Sequence, residues 1–462
     1  MFENTKIFIL GMARSGYEAA KLLSKYNNEI LITDIKEQDS EHVKELEDLG
    51  VKVVITETPE NLLDDSYKVV VKNPGIKPTL TVLDKARQLN IPIVTEVEVA
   101  YYFKPKSVKM VAITGSNGKT TTTTLTYEIL KKAGLPVKLG GNIGYPVCSL
   151  VENTKDNDIW ILEISGQQLH DIINFKPDIA ILTNLTEVHI DYFGTYEKYK
   201  ESKCQIFRNQ TNEDIAILNN DNIDVVNSTK NILSKKIYFS SKNSSDICIK
   251  NDSIYYYDEK IIELNSIKIK GNHNYENIMC AVGVCKYFNI DNKYIYDILS
   301  TFNGVEHRIE FVKEVNGRLF YNDSKATNVK STQIALSAFK DPVILLLGGL
   351  DRGHSFLELK DYLKNTKYII CFGETKQRIK EFADSINIPC EVVNDIKEAV
   401  PLAYKLSLAK DIILLSPACA SWDQYKCFED RGQDFKERVN ELKWLWMMEK
   451  EQNVKSIFTY MV

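Results

Sequence analysis

The chain has 462 residues, of which 44% are hydrophobic and 26% charged, and its formal net charge is −5. This length predicts several domains, each large enough for a hydrophobic core of its own. No window carries the roughly 18 consecutive apolar residues of a membrane span, and no long basic run could follow a nucleic-acid backbone. We therefore expect neither a membrane nor a nucleic acid as a partner.

The amino-terminal sequence predicts a cytoplasmic protein. It runs from an acidic residue straight into an apolar strand and a glycine turn, MFENTKIFILGMARSG, which is unlike a secretory signal. Nine cysteines are scattered without C-x-x-C pairs or the His/Cys spacing of a zinc site. In a cytosolic chain such cysteines are mostly small buried groups, so we expect no disulfides.

The first hundred residues predict a βαβ unit of the kind found in dinucleotide-binding folds. The predicted elements are a strand at 6–10, a turn at 11–16, a helix at 17–25 and a strand at 30–34. Asp34 ends the second strand, as in dinucleotide sites, but Ala13 replaces the middle glycine of G-x-G-x-x-G, and its methyl group would hinder a pyrophosphate. NAD is therefore disfavoured, and a purely structural turn explains the pattern about as well as a ligand site.

A second turn is expected at the same edge of this sheet. The apolar run 69–71 is followed by Asn73, Pro74 and Gly75. Open α/β sheets bind ligands beyond the carboxyl ends of their strands, so both turns should face one cleft. Residues 104–106 have the composition of a linker.

The stretch 108–133 has the pattern of a phosphate-binding loop between a strand and a helix. An apolar strand leads into a turn at 114–118, and a helix opens at Lys119 and Thr120. The turn's glycines let backbone N–H groups approach an anion, the lysine can reach terminal phosphates, and the threonine can bind Mg²⁺. Because Ile113 stands where the strict nucleotide motif has its first glycine, the loop is a shorter variant. An ordinary glycine turn before a helix is the alternative.

Three further apolar runs predict strands with polar side chains at their ends: 159–162, 179–182 and 215–218. Glu163 ends the first and suits a Mg²⁺ ligand, with a solvated or helix-capping carboxylate as the alternative. His189 follows the second, and we expect it to line the same cleft, although a lone histidine is more often structural. Lys203, in a predicted helix at 196–207, has by itself the character of a surface lysine.

Residues 227–270 are rich in Asn, Ser and Lys with short alternating runs, which predicts a small β-meander. A polar segment then precedes an apolar helix predicted at 278–287. Its Asn274 and Asn277 could hydrogen-bond a purine edge from one helical face, and N-capping explains one asparagine equally well.

The last third predicts a second parallel sheet, because apolar strands alternate with helices of ten or more residues. These strands are predicted at 319–321, 343–347, 368–372 and 412–415. The fold class is therefore α/β with three domains: an N-terminal Rossmann-like domain at 1–104, a central P-loop-type domain with a mostly parallel sheet at 105–302, and a C-terminal Rossmann-like domain at 303–462.

Several strings resemble the ATP-dependent Mur ligases of bacterial cell-wall synthesis. The family loop T-G-[ST]-N-G-K-[ST] is met by 114–120, the central glutamate by Glu163 in LEISGQQL, the metal-site histidine by His189, and the adenine motif by 273–277. The C-terminal strings HR, NDSKATN, GGLDRG and SPACASWDQ are the more specific ones. The resemblance runs from about residue 2 to residue 442, and the tail from about 443 has no functional assignment.

The resemblance implies three sets of binding residues. Those for ATP are Gly115, Ser116, Asn117, Gly118, Lys119, Thr120, Thr121, Asn274, Asn277, Arg308, Asp323 and Lys325. Those for UDP-N-acetylmuramoyl-L-alanine are Arg14, Ser15, Asp34, Asn73, Gly75, Asn142, Ser165 and Gln168. Those for D-glutamate are Thr327, Arg352, Ser421 and Phe428. The catalytic residues that it implies are Lys119, His189, Lys203 and Lys325.

The resemblance also implies a reaction, in which a monomer joins D-glutamate to UDP-N-acetylmuramoyl-L-alanine through an acyl phosphate. Two Mg²⁺ ions are implied, with ligands Thr120, Glu163, His189 and a Lys203 carbamoylated by CO₂. Arg352 stands where some relatives have lysine, and Trp422 where a smaller apolar residue is common. The amino-acid pocket is therefore expected to depart from the family's usual form.

Other functions stay open at this point. A sister Mur ligase or a folylpolyglutamate-synthase-like ligase would use a different amino acid, and the latter lacks a comparable N-terminal domain. A nucleotide-regulated binding module would show no turnover. An NAD-dependent oxidoreductase is disfavoured by Ala13 and by the ATP-type loop.

Overall fold

The computed structural model of the chain describes residues 1–187 and 190–442. The chain divides into two compact units, Met1–Phe302 and a second unit that begins at Asn303. The first unit contains two β-sheets and the second contains one. His189 and the tail from 443 lie outside the described residues. Within the described part of the chain, each helix is too short or too polar to span a bilayer.

The first sheet is the predicted Rossmann-like sheet, with five parallel strands in the order β3-β2-β1-β4-β5. The strands are β1 (Lys6–Leu10), β2 (Glu29–Asp34), β3 (Lys52–Ile55), β4 (Val69–Lys72) and β5 (Ile93–Val94). The helices are α1 (Arg14–Ser24), α2 (Ser40–Asp48), α3 (Thr81–Gln88) and α4 (Glu96–Phe103). Alternate residues of β1 enter two different cores, one on each face of the sheet, which explains its continuous apolar sequence.

Helix α1 begins at Arg14, within the segment predicted to be a turn. Gly16 already lies in the helix, and a Cβ atom there would collide with the carbonyl oxygen of Gly11. The glycine-rich string therefore forms a very tight turn followed directly by helix. Glycine spacing alone did not reveal where the turn ends.

The second sheet has nine strands in the order β14-β13-β12-β11-β10-β9-β6-β8-β7. They are β6 (Lys109–Thr114), β7 (Val137–Gly141), β8 (Ile159–Glu163), β9 (Ile179–Leu182), β10 (Ile215–Asn219), β11 (Lys235–Ser240), β12 (Ile247–Lys250), β13 (Ser253–Tyr256) and β14 (Glu259–Glu263). The helices are α5 (Lys119–Lys132), α6 (Val147–Glu152), α7 (Gly166–Leu169), α8 (Ile190–Phe193), α9 (Tyr196–Cys204), α10 (Ile223–Ser228), α11 (Asn272–Tyr287) and α12 (Asn292–Leu299).

Strand β6 lies between β8 and β9, and all three run parallel. Ile113 is paired with Glu163, and Thr114 with Leu182, so the three strands end at the same edge of the sheet. The predicted meander is also present: β12, β13 and β14 are antiparallel and extend the sheet on the far side of β11. Helix α11 begins at Asn272 rather than at 278. The polar residues 272–277, for which no helix was predicted, form its first turns.

The second unit contains the third sheet, in the order β15-β16-β20-β17-β18-β19. Its strands are β15 (Glu310–Val315), β16 (Arg318–Asn322), β17 (Val343–Gly348), β18 (Thr366–Phe372), β19 (Cys390–Val392) and β20 (Ile412–Leu415). Its helices are α13 (Val329–Ser337), α14 (Lys376–Ser385) and α15 (Ile396–Leu406), and residues 428–442 are also helical. The predicted parallel sheet is present, and β15 adds an antiparallel edge that the sequence reading missed.

Helix α4 joins the two sheets of the first unit through two buried glutamates. Glu98 is 2% exposed. Its carboxylate accepts hydrogen bonds from three N–H groups after α7: Ile173 at 3.0 Å, Asn174 at 2.6 Å and Phe175 at 2.9 Å. Glu96 accepts from the first turn of α6, through Val147 and Cys148, and burial raises its pKa to about 7.

We expect the substitution Glu98→Gln to lower the free energy of unfolding by about 2 kcal/mol or more, because an amide oxygen is a weaker acceptor and its NH₂ group would face buried donors. Urea denaturation measures the change. The matched control is Glu47→Gln on the exposed face of α2, which should stay within about 0.5 kcal/mol of wild type. Equal stability of the two variants would contradict the role of Glu98.

Candidate active site

The loop between β6 and α5 has the close packing that its glycines predict. Gly115 and Gly118 have φ angles of +149° and +81°, in a region where glycine is favoured. A Cβ atom at Gly115 would collide with Oγ1 of Thr183, and one at Gly118 with Oδ1 of Asn277. The loop therefore lies directly against the segment after β9 and against α11.

Side chains after β9 fix the backbone of this loop. The N–H of Asn117 donates to Oδ1 of Asn184 at 2.9 Å, and Nδ2 of Asn184 donates back to the Asn117 carbonyl at 3.2 Å. Oγ1 of Thr183 donates to the same carbonyl at 2.6 Å. The loop conformation is thus set by the protein itself, which is the preorganisation that an anion site needs.

Positive charge is concentrated over the loop. Nζ of Lys119 donates to the carbonyl oxygens of Gly115 and Ser116, each at 2.9 Å. The first N–H groups of α5 have no acceptor within the helix and add the partial positive charge of its N-terminus. Thr120, in the first turn, is only 4% exposed, and Thr121 follows it. The arrangement suits phosphate oxygens.

Lys203 is buried, so the expectation of a surface lysine was wrong. It is 2% exposed on α9, with Nζ 3.5 Å from Oγ1 of Thr114 and 4.9 Å from the centre of the Tyr199 ring. Burial lowers the pKa of Lys203 well below its ordinary value, the positive charge of Lys119 lowers it further, and the carboxylate of Glu163 opposes the shift. The amine therefore loses its proton far more readily than a surface lysine does.

Glu163 ends β8 with 1% of its surface exposed. Asn142, which follows β7, binds it twice: its Nδ2 donates to Oε1 at 2.8 Å, and its N–H donates to the Glu163 carbonyl at 2.8 Å. The structure thus places Asn142, a predicted substrate residue, beside a predicted metal ligand. Within residues 1–187 and 190–442, no cluster of three His, Cys, Asp or Glu side chains could hold a metal, and the predicted ligand His189 lies outside them.

The predicted substrate residues of the first sheet lie together. Oδ2 of Asp34 accepts a hydrogen bond from the N–H of Met12 at 2.8 Å. Nδ2 of Asn73 donates to Oγ of Ser15 at 3.0 Å, and Oδ1 of Asn73 accepts from the N–H of Gly75 at 3.0 Å. The turns after β1 and β4 are therefore neighbours, as the sequence predicts.

Three other predicted substrate residues already have structural partners. Nη2 of Arg14 donates to the Gly144 carbonyl at 2.8 Å, which joins the turn after β1 to the loop after β7. Ser165 and Gln168 form a capping box at the start of α7, with Oγ of Ser165 accepting at 3.3 Å and Oε1 of Gln168 accepting at 2.9 Å. Helix capping therefore accounts for this pair, and their substrate role stays a prediction.

The two asparagines predicted for adenine differ in their surroundings. Asn277 is 5% exposed, lies against Gly118 and accepts a hydrogen bond from Oγ1 of Thr122 at 3.4 Å. Asn274 donates through Nδ2 to the Lys270 carbonyl at 2.9 Å. Neither caps the helix, since the N-cap position of α11 is Gly271. Asn277 is therefore part of the loop's packing as well as a candidate ligand contact.

In the second unit, Asp323 follows β16 and is 5% exposed. The Ser416 hydroxyl donates to its Oδ2 at 2.7 Å, and the N–H of Ile309 donates to its Oδ1 at 3.2 Å. Burial raises the pKa of Asp323 to about 7, against the opposing effects of these hydrogen bonds and of Arg308 and Arg431.

Three of the four residues predicted for D-glutamate come from loops after β16, β17 and β20, and Phe428 begins the helical segment 428–442. Thr327 follows β16, Arg352 follows β17, and Ser421 follows β20. The guanidinium of Arg352 lies 4.7 Å from the ring centre of Trp422, so two of these loops meet through their side chains. Ser421 is 2% exposed, and its Oγ has no hydrogen-bond partner among the described residues.

Phe428 and Lys325 are neighbours, although they are predicted for different ligands. Nζ of Lys325 lies 5.7 Å from the centre of the Phe428 ring. The Phe428 carbonyl accepts a hydrogen bond from the Ser324 hydroxyl at 2.8 Å. Arg308, also predicted for ATP, is exposed.

Arg431 is the residue that the sequence reading missed. It is fully buried, and it donates to the carbonyls of Ser324 at 2.9 Å, Cys419 at 3.0 Å and Gly348 at 3.5 Å. Two of these carbonyls belong to the loops after β16 and β20, and the third, of Gly348, ends β17 just before its loop, so one cation holds all three segments. The acidic residues around Arg431 in the sequence are typical of an exposed helix. The adjacent Gly432 indicates close packing instead, because a Cβ atom there would collide with the imidazole of His307.

Comparison with known families gives the class of protein. Residues 113–285 match the Mur ligase middle domain, and residues 307–419 match the Mur ligase glutamate ligase domain. The chain belongs to the Mur ligase family. The matched segments contain the glycine loop, Glu163, Lys203 and Asp323.

Comparison with individual proteins narrows the similarity to one kind of ligase within the family. The chain is 45% identical over 447 residues to the UDP-N-acetylmuramoylalanine--D-glutamate ligase of Geobacillus sp. (strain WCH70), covering 96% of this chain and 99% of that protein. It is 43% identical over 445 residues to the protein of the same name from Bacillus cereus (strain G9842), covering 96% and 98%.

Solved structures share the fold at lower identity. The UDP-N-acetylmuramate-alanine ligase MurC of Thermotoga maritima matches with a TM-score of 0.57 and 17% identity, over 94% of this chain and 99% of that chain. The MurF ligase of Thermotoga maritima in complex with ADP matches with a TM-score of 0.54 and 17% identity, over 95% and 96%. These matches support the α/β architecture.

We expect Asp323→Asn to remove part of the pH dependence of stability. With a pKa of about 7 when folded and 3.8 as its ordinary value, Asp323 binds more protons in the folded chain between those pH values. The contribution of Asp323 to stability should therefore fall as the pH rises through this window, by up to about 1.4 kcal/mol per pH unit. Urea unfolding at several pH values should show a flatter slope for the variant. The exposed Asp361→Asn should keep the wild-type slope, and a wild-type slope in Asp323→Asn would refute the assignment.

Proposed function

We propose that the protein is an ATP-dependent ligase that joins D-glutamate to UDP-N-acetylmuramoyl-L-alanine in the synthesis of peptidoglycan precursors. The observation that carries this proposal is the 43–45% identity, over 96% of the chain, to proteins named as this ligase. A sister Mur ligase would differ in the amino acid that it accepts. Since the proposed reaction consumes ATP, we also propose that it takes place in the cytoplasm, and a monomer stays the prediction for the oligomeric state.

The reaction requires activation of a carboxylate. A carboxylate and an amine form a salt at neutral pH, because the carboxylate oxygen is a poor leaving group. Transfer of the γ-phosphoryl group of ATP to the L-alanyl carboxylate gives an acyl phosphate and ADP. The neutral amine of D-glutamate then attacks the carbonyl carbon, its nitrogen loses a proton, and phosphate leaves as the tetrahedral intermediate collapses to the amide.

The glycine loop is suited to the first step. The N–H groups at the start of α5 and the ammonium of Lys119 can neutralise charge on the oxygens of the phosphoryl group as it is transferred. Nζ of Lys119 lies 2.9 Å from the carbonyls of Gly115 and Ser116, so it is already held at the loop. The contributions of Arg308, Asp323 and Lys325 to ATP binding stay predictions.

The donor set near the loop fits Mg²⁺. The Thr120 hydroxyl and the Glu163 carboxylate are oxygen donors, which Mg²⁺ prefers, and both side chains are nearly fully buried. We assign one position to these two residues and a second to Glu163, His189 and a carbamate on Lys203. When bound, Mg²⁺ supplies charge neutralisation for the phosphate oxygens.

The surroundings of Lys203 support carbamoylation. The neutral amine attacks CO₂ and loses a proton, and the product is an anionic carbamate. Burial and the charge of Lys119 lower the pKa of Lys203, which increases the fraction of neutral amine. The carbamate would replace the repulsion between the ammonium groups of Lys203 and Lys119 with an attraction. It would also place a second anion near Glu163, which favours binding of a cation there.

Product formation and isotope transfer test the reaction. We expect ADP release only when ATP, Mg²⁺, UDP-N-acetylmuramoyl-L-alanine and D-glutamate are all present, with L-glutamate, L-alanine and diaminopimelate as controls. With ¹⁸O in the substrate's L-alanyl carboxylate, mass spectrometry should find one ¹⁸O in the released phosphate. Release of AMP, or turnover with another amino acid in preference to D-glutamate, would exclude the proposed reaction.

The carbamate has its own test. Lys203→Ala should lose activity by about a hundredfold or more, as expected for loss of a metal-site group, and a short-chain carboxylic acid should restore part of it. Lys198→Ala, an exposed lysine of the same helix, should keep wild-type activity. ¹³C NMR of protein equilibrated with ¹³C-bicarbonate should show a carbamate carbon in wild type and in Lys198→Ala. Its presence in Lys203→Ala, or full activity of that variant, would remove Lys203 from the mechanism.

A further inference from the structure

Arg352 and Trp422, which lie on two loops of the second unit, are in contact with each other. Cζ of Arg352 lies 4.7 Å from the ring centre of Trp422, within the range of about 6 Å for a cation–π interaction. Trp422 is 64% exposed, so its indole does not fill a core. One face of this exposed ring instead carries the guanidinium.

The loops that carry this pair share a rigid base. The N–H of Leu350 donates to the Ala420 carbonyl at 2.9 Å, and the N–H of Gly348 donates to the Pro417 carbonyl at 2.9 Å. A Cβ atom at Gly349 would collide with the Ala420 carbonyl. The backbones of the two loops are therefore in contact two residues before Arg352 and two residues before Trp422. This contact fixes the distance between the two side chains.

The neighbouring carboxylate of Asp351 does not form an ion pair with Arg352. Asp351 forms an ion pair with Arg378 and accepts a hydrogen bond from the N–H of Gly353 at 2.8 Å. Nη2 of Arg378 also donates to the His354 carbonyl at 2.7 Å. In the described part of the chain, no ion pair includes Arg352. Its N–H groups therefore remain available for a carboxylate from outside the protein.

We propose that Trp422 is a positioning residue whose indole holds the guanidinium of Arg352 by one face, so that its N–H edge binds a carboxylate of the incoming amino acid. This inference rests on the proposed function. A guanidinium can stack through its face and donate in its own plane at the same time. Ser421, with its buried Oγ, precedes Trp422 and lies on the same loop. Arg352 and Trp422 thus act as one unit.

A double-mutant cycle tests the coupling. Trp422→Leu should raise the KM for D-glutamate about three- to fivefold, the size of a cation–π contact at an exposed site, with little change in kcat or in the KM for the UDP-linked substrate. Trp422→Phe should restore most of the loss. In an Arg352→Gln background, Trp422→Leu should change the KM by less than about 1.5-fold. An equal factor in both backgrounds would overturn the proposal, because Trp422 would then act without Arg352.

A second readout does not depend on activity. In wild type, the ¹⁵N-detected Nε–H signal of Arg352, assigned by its loss in Arg352→Gln, should be shifted upfield by the indole ring current. The shift should vanish in Trp422→Leu and persist in Tyr362→Leu, which removes another exposed aromatic of the same unit. An unshifted wild-type signal would overturn the stacking even in an active D-glutamate ligase. A shifted signal in a protein that forms no ADP with D-glutamate would instead overturn the proposed function and the carboxylate role with it.

Discussion

Two close contacts of the glycine-loop backbone constrain the part of the candidate site that lies in the first unit. At Gly115 and at Gly118 the phosphate-type loop lies so close to Thr183 and Asn277 that no side chain fits between them. The loop, the segment after β9 and the start of α11 are therefore locked together. Because β6 lies between β8 and β9, the same lock fixes the loop relative to Glu163, at the end of β8.

This packing creates an unusual electrostatic environment. Lys203 and Glu163 are both almost completely buried, and Lys119 lies nearby. In a medium of low polarity, an extra positive charge beside another one is unfavourable, so the amine of Lys203 is driven toward its neutral form. The same burial that prevents Lys203 from acting as an ordinary surface cation gives it the nucleophilic character that a carbamate requires.

In the second unit, a buried arginine fixes the loops that carry the predicted binding residues. These loops also leave the carboxyl ends of parallel strands, but here a buried cation holds them in addition to the glycine contact at Gly349. Arg431 binds carbonyls of the loops after β16 and β20 and the carbonyl of Gly348 at the end of β17. Because these contacts hold the loops in place, the exposed side chains of Arg352 and Trp422 can contact each other. Binding residues on loops are precise only when the supporting contacts are rigid.

Most of the secondary structure could be predicted, because apolar runs bounded by glycine and polar residues identify buried strands locally. The mistakes fall where local pattern is weak: the start of α1 inside a glycine string, the polar first turns of α11, and the edge strands β3, β5, β7, β15 and β19, which were not predicted. Of the site, the sequence identified the glycine loop and Glu163 by their position at strand ends, and the family resemblance identified Lys203, which chemistry alone had taken for a surface residue.

The sequence by itself thus determined the alternation of strands and helices and the residues at the strand ends, since both depend on spacing along the chain. Tertiary structure alone decided that Lys203 is buried, that Arg431 ties three loops together and that the guanidinium of Arg352 lies near the ring of Trp422. These properties depend on which distant segments meet and on how much water their packing excludes. Neither is encoded in the spacing of residues along the chain.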